Sequence, residues 1–77
     1  MVTQYHAPAV QRAIDRHTNP MHPSVHILFA VTEGDFGLFY EAFTDEYDAE
    51  AALCKELMRE DEWSEGVTDF TVETFYR

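Results

Sequence analysis

Apolar and polar residues alternate most clearly over positions 25–32. Four apolar residues occupy every second position there, namely Val25, Ile27, Phe29 and Val31. Successive side chains of a strand point to opposite faces of a sheet. The positions between these four are also partly apolar, which favours a strand with neighbours on both sides. The pattern therefore predicts that residues 25–32 form the central strand.

A tight turn and a second strand follow the first. The turn is Glu33-Gly34-Asp35, in which Gly34 supplies the positive φ that a hairpin connection commonly requires. The return strand is predicted at residues 36–43. Residues 67–76 alternate again and are predicted to form a third strand, with Phe70, Val72 and Tyr76 on one face and Asp69, Thr71, Glu73 and Phe75 on the other.

Two segments have helical periodicity. At residues 7–17, Pro8 suits the first turn because it has no backbone N–H to lose there, and apolar residues recur at helical spacing. Residues 44–65 are predicted to form one longer amphipathic helix, with Thr44 or Asp45 capping its first turn. One narrow row of this helix is predicted to face the core: Tyr47, Ala51, Cys54 and Met58, widened by Leu53 and Leu57.

These elements predict a single small α+β domain over residues 1–77. A hairpin followed by a helix and a strand most simply gives a three-stranded antiparallel sheet in the order 2-1-3. The long helix is expected to cover one face of this sheet. The second face still carries aromatic residues such as Phe39 and Phe43, so either the short N-terminal helix or a partner chain should cover it.

The formal net charge of −10 is unevenly distributed along the 77 residues. From residue 33 to residue 77 there are 14 acidic and three basic residues, and such a field repels nucleic acid and anionic membranes but attracts cationic surfaces. A salt-adapted host would favour the same excess of acid for solubility alone. The chain shows no signal-peptide pattern and no apolar run long enough to span a bilayer, so we expect it in the cytoplasm of a host cell.

No pattern of catalytic or cofactor-binding residues stands out. His22 and His26 have the i, i+4 spacing of a helical metal pair, but Pro23 and the strand that begins at Val25 argue against a helix there. There is no Gly-rich phosphate loop, no dinucleotide pattern and no nucleophile in an activated context. We therefore predict no catalytic residue, no metal, no cofactor and no enzymatic activity.

The acidic residues near the end of the long helix are harder to explain by stability. Glu60, Asp61 and Glu62 lie at or just past the helix C-terminus, where exposed carbonyl groups already carry partial negative charge. A local rule broken without visible compensation is typical of a functional site. Trp63 is expected either to anchor a partner or to close the core. The predicted partner-binding array of carboxylates consists of Asp45, Asp48, Glu56, Glu60, Asp61, Glu62 and Glu65.

In its small size, strong acidity and compact α/β layout, the whole chain resembles the anti-CRISPR and anti-restriction inhibitors that phages encode against host defence. The resemblance rests on these general properties and includes no motif. It implies a non-enzymatic inhibitor whose partner is a cationic nucleic-acid-binding effector, such as a CRISPR complex subunit or a nuclease. Inhibition by DNA mimicry and inhibition by steric blocking are both typical of that family.

A different class of function fits the same composition. The chain is alternatively a structural or adaptor module, a homodimer joined through the aromatic second face of the sheet, with acid serving solubility only. Association through an acidic face should weaken steeply between low and moderate ionic strength, whereas an apolar dimer should hardly change or should tighten. We expect a monomer or a homodimer, and no direct binding of nucleic acid or membrane.

Overall fold

The structure is a computed structural model that describes residues 8–34 and 37–77. These residues form two helices and three strands, with a short 3₁₀ turn after the second helix. The bounds are α1 Pro8–His17, β1 Ser24–Thr32, β2 Gly37–Phe43, α2 Glu46–Leu57, the 3₁₀ turn Glu60–Glu62 and β3 Val67–Tyr76.

The three strands form one antiparallel sheet in the order β2-β1-β3. This arrangement confirms the predicted α+β class and strand order. The strand positions agree with the prediction to within one residue wherever the structure describes them, whereas Asp35 and Phe36 lie outside the described residues. Gly34 has the predicted positive φ, 95°, a value that glycine adopts without steric cost.

Helix α1 covers one face of the sheet with two buried residues, Val10 and Ala13. They pack on the odd-numbered side chains of β1, of which Phe29 is the largest. The Phe29 ring also meets Phe75 of β3 edge to face, with 6.1 Å between ring centroids. The sequence pattern left two possibilities for what covers the second face of the sheet, the N-terminal helix or a partner chain. In the structure, α1 packs on this face. Phe39 remains part-exposed beside it.

Helix α2 lies on the opposite face, over the even-numbered residues of β1. Leu28 packs there with Phe70 of β3. Trp63 and Tyr40 each meet the Phe70 ring edge to face, at centroid separations of 5.1 Å. Phe43 packs in this cluster as well, so its predicted place beside Phe39 on the other face was wrong. The α2 side of the core is therefore built largely from aromatic rings.

A β-bulge explains why Phe39 and Phe43 lie on different faces. The register between β1 and β2 shifts between Leu28 and Phe29, which leaves Tyr40 as the extra residue of β2. A bulge displaces the alternation of side chains by one position. Phe43 therefore faces α2, although a spacing of four residues in a regular strand places both rings on one side.

The face of α2 that contacts the core is not the predicted one. Ala49 and Glu56 are buried, and Ala52 and Leu53 pack against the core on the same side. The small side chains of α2 let the helix lie close to the sheet. The aromatic rings on the sheet fill the space between sheet and helix. The prediction of an inward-facing side was right for Leu53 and wrong for the exposed residues Tyr47, Ala51, Cys54, Leu57 and Met58.

Helix α2 is also shorter than predicted, because it ends at Leu57 and does not continue to residue 65. The N–H of Arg59 bonds to the carbonyl of Glu56, three residues back, at an N···O distance of 3.0 Å. Such a bond tightens the chain into a 3₁₀ turn. The acids Glu60–Glu62 therefore lie just past the helix C-terminus, as the charge argument predicts, and not inside the helix, as the predicted range of residues 44–65 implies. Neither of the described helices is long and apolar enough to cross a bilayer.

Candidate protein-binding surface around helix α2

The first turn of α2 contains acidic residues that the helix itself explains. The carboxylate of Asp45 accepts a hydrogen bond from the backbone N–H of Tyr47, at an N···O distance of 2.7 Å. Asp45, and not Thr44, is therefore the N-cap. Glu46 and Asp48 lie in the same turn, where the helix dipole stabilises negative charge. This end of α2 is thus anionic without a cost in stability.

The outward side of α2 carries a row of apolar side chains, which we call the α2 stripe and define as Tyr47, Ala51, Cys54 and Met58. These residues are three or four positions apart and therefore lie along one side of the helix. Tyr47 and Met58, at the two ends, are 85% and 86% exposed. Ala51 and Cys54 are exposed between them, and Leu57 is exposed beside them. The helix thus presents its large apolar residues to solvent.

Charged residues border the α2 stripe on both sides. At 100° per residue, Asp48 and Lys55 lie on one side of it, whereas Glu46 and Glu50 lie on the other. All four side chains are exposed. Lys55 is the only cation within α2, so the borders of the stripe are predominantly anionic.

The chain beyond α2 holds a second group of acids, which we call the acidic turn and define as Glu60, Asp61, Glu62 and Glu65. All four are exposed. Arg59 partly neutralises the group, since its guanidinium lies 3.5 Å from a carboxylate oxygen of Glu62. Within the described residues, Glu60 and Asp61 form no ion pair. The acidic turn therefore keeps uncompensated negative charge where the helix dipole disfavours it.

Glu56 does not lie on the outer face, where the sequence predicts it. It is 8% exposed, and a carboxylate oxygen lies 3.9 Å from the guanidinium of Arg59. The orientation of α2 that turns Ala52 toward the core also turns Glu56, because residues four positions apart share one side of a helix. Glu56 is therefore not presented freely at the surface with the other members of the array.

Trp63 packs in the core, which is one of the two roles predicted for it. Its ring meets Phe70 at 5.1 Å, and its indole N–H donates a hydrogen bond to the backbone carbonyl of Glu56 at 3.0 Å. This bond joins the acidic turn to the last turn of α2. Trp63 thereby helps to fix where the acids lie, whereas a direct contact between its ring and a partner stays a prediction.

Apart from the buried Glu56, the predicted carboxylate array is thus divided into two exposed groups. Asp45 and Asp48 belong to the group at the N-terminal end of α2, and the acidic turn follows the C-terminal end. Helix α2 has 12 residues, which corresponds to a length of about 18 Å. The α2 stripe lies between the two groups. This surface combines apolar contact in the centre with ionic contact around it, the usual composition of a protein–protein interface.

Shallow depressions adjoin both helices. One, of about 390 Å³, lies between β2 and α2 and includes Tyr40, Lys55 and Arg59 in its lining. Another, of about 170 Å³, lies beside α1 and includes Arg12 and Arg16. Neither lining contains a histidine or cysteine next to a carboxylate.

The three histidines among the described residues lie in different parts of the fold. His26 lies in β1, and its Nδ1 is hydrogen-bonded to the Oγ1 of Thr74 at 2.9 Å. His22 lies in the turn before β1, so the two do not share a helix, as predicted. His6 lies outside the described residues. In the described part of the chain, no group of three or more His, Cys, Asp or Glu is arranged to hold a metal ion.

The exposure of the α2 stripe is the feature of this surface that the sequence pattern did not predict. A second row with helical spacing runs along α2 through Ala49, Ala52 and Leu53. Small residues at such spacing are typical of a helix that packs closely on a bulky surface. Either row of α2 could face the core on spacing alone. The many aromatic residues in the strands were the signal that the row of small side chains would be the buried one.

Comparison with known proteins gives no relative from which a function can be transferred. The chain matches no protein-family model, no curated protein and no solved structure. The function must therefore be argued from the surface around α2.

Proposed function

We propose that this protein is a non-enzymatic inhibitor that binds the cationic nucleic-acid-binding surface of a host defence protein. The contact surface is the outer side of α2 together with the acidic turn. The partner is an effector of the kind that the anti-CRISPR resemblance implies, such as a CRISPR complex subunit or a nuclease.

The observation that carries this proposal is the uncompensated charge of Glu60 and Asp61. Each anion near a helix C-terminus costs about a few tenths of a kcal/mol, and Arg59 offsets only part of the charge of the acidic turn. The hydrogen bond between Trp63 and Glu56 fixes this turn against α2. An anionic surface held in place in this way complements a Lys/Arg surface, and such complementarity accelerates association and selects the partner.

The arrangement of the acids supports steric blocking better than DNA mimicry. A DNA strand presents one phosphate about every 3.4 Å without interruption. Here the two groups of acids are separated by a helix about 18 Å long whose outward side is apolar at its centre. A partner of this surface must offer apolar contacts as well as positive charge.

The alternative, a homodimeric adaptor joined through the second face of the sheet, has weaker support. Helix α1 covers that face through Val10 and Ala13. Phe39 is the aromatic residue of β2 that stays part-exposed beside α1. Among the described residues this face thus exposes one aromatic ring, which offers much less apolar area than a stable homodimer usually buries.

The first test is an infection assay in cells that carry an active CRISPR or restriction system. Expression of the protein should raise the plating efficiency of a targeted phage. The triple variant Glu60→Lys, Asp61→Lys, Glu62→Lys should lose this effect, because it reverses the charge of the acidic turn. Equal protection by the variant and the native protein would exclude the acidic turn from the mechanism.

A matched control separates local charge from total charge. The variant Asp15→Lys, Glu33→Lys, Glu73→Lys changes the net charge by the same amount at exposed positions outside α2 and the acidic turn, and it should retain inhibition. With a purified effector that is inhibited, binding should weaken about tenfold between low and moderate ionic strength. Binding that is independent of salt would contradict a charge-guided contact.

A further inference from the structure

The α2 stripe is an exposed apolar surface that lies outside both core clusters of the described residues. Tyr47 and Met58 are among the most exposed large apolar residues of the described chain. They share one side of α2 with Ala51 and Cys54, and they lie opposite the side that packs on the sheet. Contiguous apolar residues with a polar border are typical of an interaction site.

The charge around the stripe indicates which occupant it suits. A second copy of the chain could place its own α2 stripe there in a parallel or an antiparallel orientation. The two ends of α2 are both anionic, because Asp45 and Asp48 lie at one end and the acidic turn lies at the other. Either orientation therefore brings acids against acids, which costs free energy. The charge selects against a second copy and in favour of a cationic occupant.

The length of the stripe indicates the shape of the occupant. Tyr47 and Met58 are eleven positions apart, which corresponds to about 16 Å, or three helical turns. A helix of similar length can lie along the stripe and place apolar residues at i, i+3, i+4 and i+7 against it. Its flanking cations would then reach the acids at both ends of α2.

We propose that the α2 stripe and the acids around it bind a basic amphipathic helix, in which one apolar side is bordered by Lys and Arg. The apolar side contacts the stripe between Tyr47 and Met58, and the basic residues contact the first turn of α2 and the acidic turn. This inference rests on the proposed function, because it specifies the segment of the cationic partner that the surface recognises.

The probe for this proposal is a fluorescein-labelled peptide of about 18 residues that contains leucine and lysine at amphipathic helical spacing. A scrambled peptide of the same composition has the same charge but no apolar side. Fluorescence anisotropy should show that the native protein binds the amphipathic peptide about tenfold more tightly than the scrambled one. Equal affinity for the two peptides would overturn the inference, because charge alone would then explain binding.

The test variant is Tyr47→Ser, Met58→Ser, which removes both ends of the stripe and leaves every acid in place. Its affinity for the amphipathic peptide should fall about tenfold. The matched control is Met21→Ser, Tyr76→Ser, since these two residues are 84% and 72% exposed and lie outside α2. The control should bind as the native protein does. All the altered side chains are exposed, so circular dichroism and urea unfolding should show that both variants fold.

The pattern of losses distinguishes failure of the inference from failure of the proposed function. If the stripe variant binds the peptide normally while reversal of Glu60–Glu62 abolishes inhibition in cells, the inference is wrong and the proposed function stands. If neither variant loses inhibition, the surface around α2 does not contact the effector, and both the inference and the contact surface given in the proposed function are wrong. Analytical sedimentation of the native protein tests the remaining alternative, which is a second copy of the chain bound at the stripe. A dimer that the variant Tyr47→Ser, Met58→Ser dissociates would show that the stripe binds a second copy, and it would overturn the inference.

Discussion

The two helices cover opposite faces of the same sheet, but they use their apolar residues differently. Helix α1 places Val10 and Ala13 in the core, and its charged residues Arg12 and Arg16 are exposed. Helix α2 contacts the core through alanines, Leu53 and the buried Glu56. Two of its larger apolar residues, Tyr47 and Met58, face solvent in the α2 stripe.

This difference shows that an amphipathic pattern does not by itself identify the buried side of a helix. Apolar burial stabilises a fold by about 25 cal/mol per Å², and α1 uses its apolar side for that purpose. On the α2 side, Phe70, Trp63 and Phe43 already fill the space above the sheet. The stripe is therefore left available for a partner, and α1 serves folding whereas the outward side of α2 serves binding in the proposed function.

The largest expected contrast is between a core residue under α1 and a residue of the α2 stripe. Phe29→Ala should lower the free energy of unfolding by about 3 to 5 kcal/mol, because it empties a fully buried site. Tyr47→Ala should change it by less than about 0.5 kcal/mol, because that side chain is exposed. Urea unfolding followed by circular dichroism measures both. A large loss in Tyr47→Ala would mean that the stripe takes part in folding.

An intermediate effect is expected at Trp63, which connects the core to the acidic turn. Trp63→Ala should lower the free energy of unfolding by about 2 to 3 kcal/mol, because it removes the contact with Phe70 from a half-buried site. Trp63→Phe keeps an aromatic ring and should cost only about 1 kcal/mol, the usual contribution of the lost hydrogen bond to Glu56.

Binding measurements on the same two variants test the second role predicted for Trp63. A Trp63→Phe variant that is nearly as stable as the native protein should also bind the partner nearly as well. If it retains its stability but loses the partner, the indole contacts the partner directly, and the site extends from the stripe to the end of α2.

The smallest expected effect has the opposite sign. Glu60→Lys, Asp61→Lys should raise the free energy of unfolding by about 0.3 to 1 kcal/mol at low salt, because cations are favoured near a helix C-terminus. The gain should disappear at high salt, where exposed charges are screened. Thermal unfolding at two salt concentrations measures it. A destabilised variant would show that the acids serve the fold, and the case for a functional acidic turn would be lost.

Much of the fold could be predicted from the sequence because its signals are local. Pro8 at the first turn of α1, Gly34 in the hairpin and the alternation of β1 and β3 placed these elements within one residue of where they lie. The strand order followed from chain connectivity. The bulge at Tyr40 had no local signal, since it is defined by the pairing of β2 with β1.

The candidate site was predicted less well, because its members depend on how α2 is oriented. The position of the acids near the helix C-terminus was predictable from the chain, whereas the N-cap was predicted as Thr44 or Asp45 without a choice between them. The burial of Glu56 and the exposure of Met58 were not predictable, since a rotation of the helix exchanges such positions. Only contact with the sheet fixes that rotation.

The sequence by itself determined the elements, the strand order and the surplus of acid in the second part of the chain. These properties depend on backbone preferences, residue spacing and charge, all of which act along the chain. The tertiary structure alone decided which side of α2 faces the core. That choice depends on how much of the space between sheet and helix the aromatic rings already fill. The rings come from residues that are distant in the sequence, so no local pattern reports this filled volume.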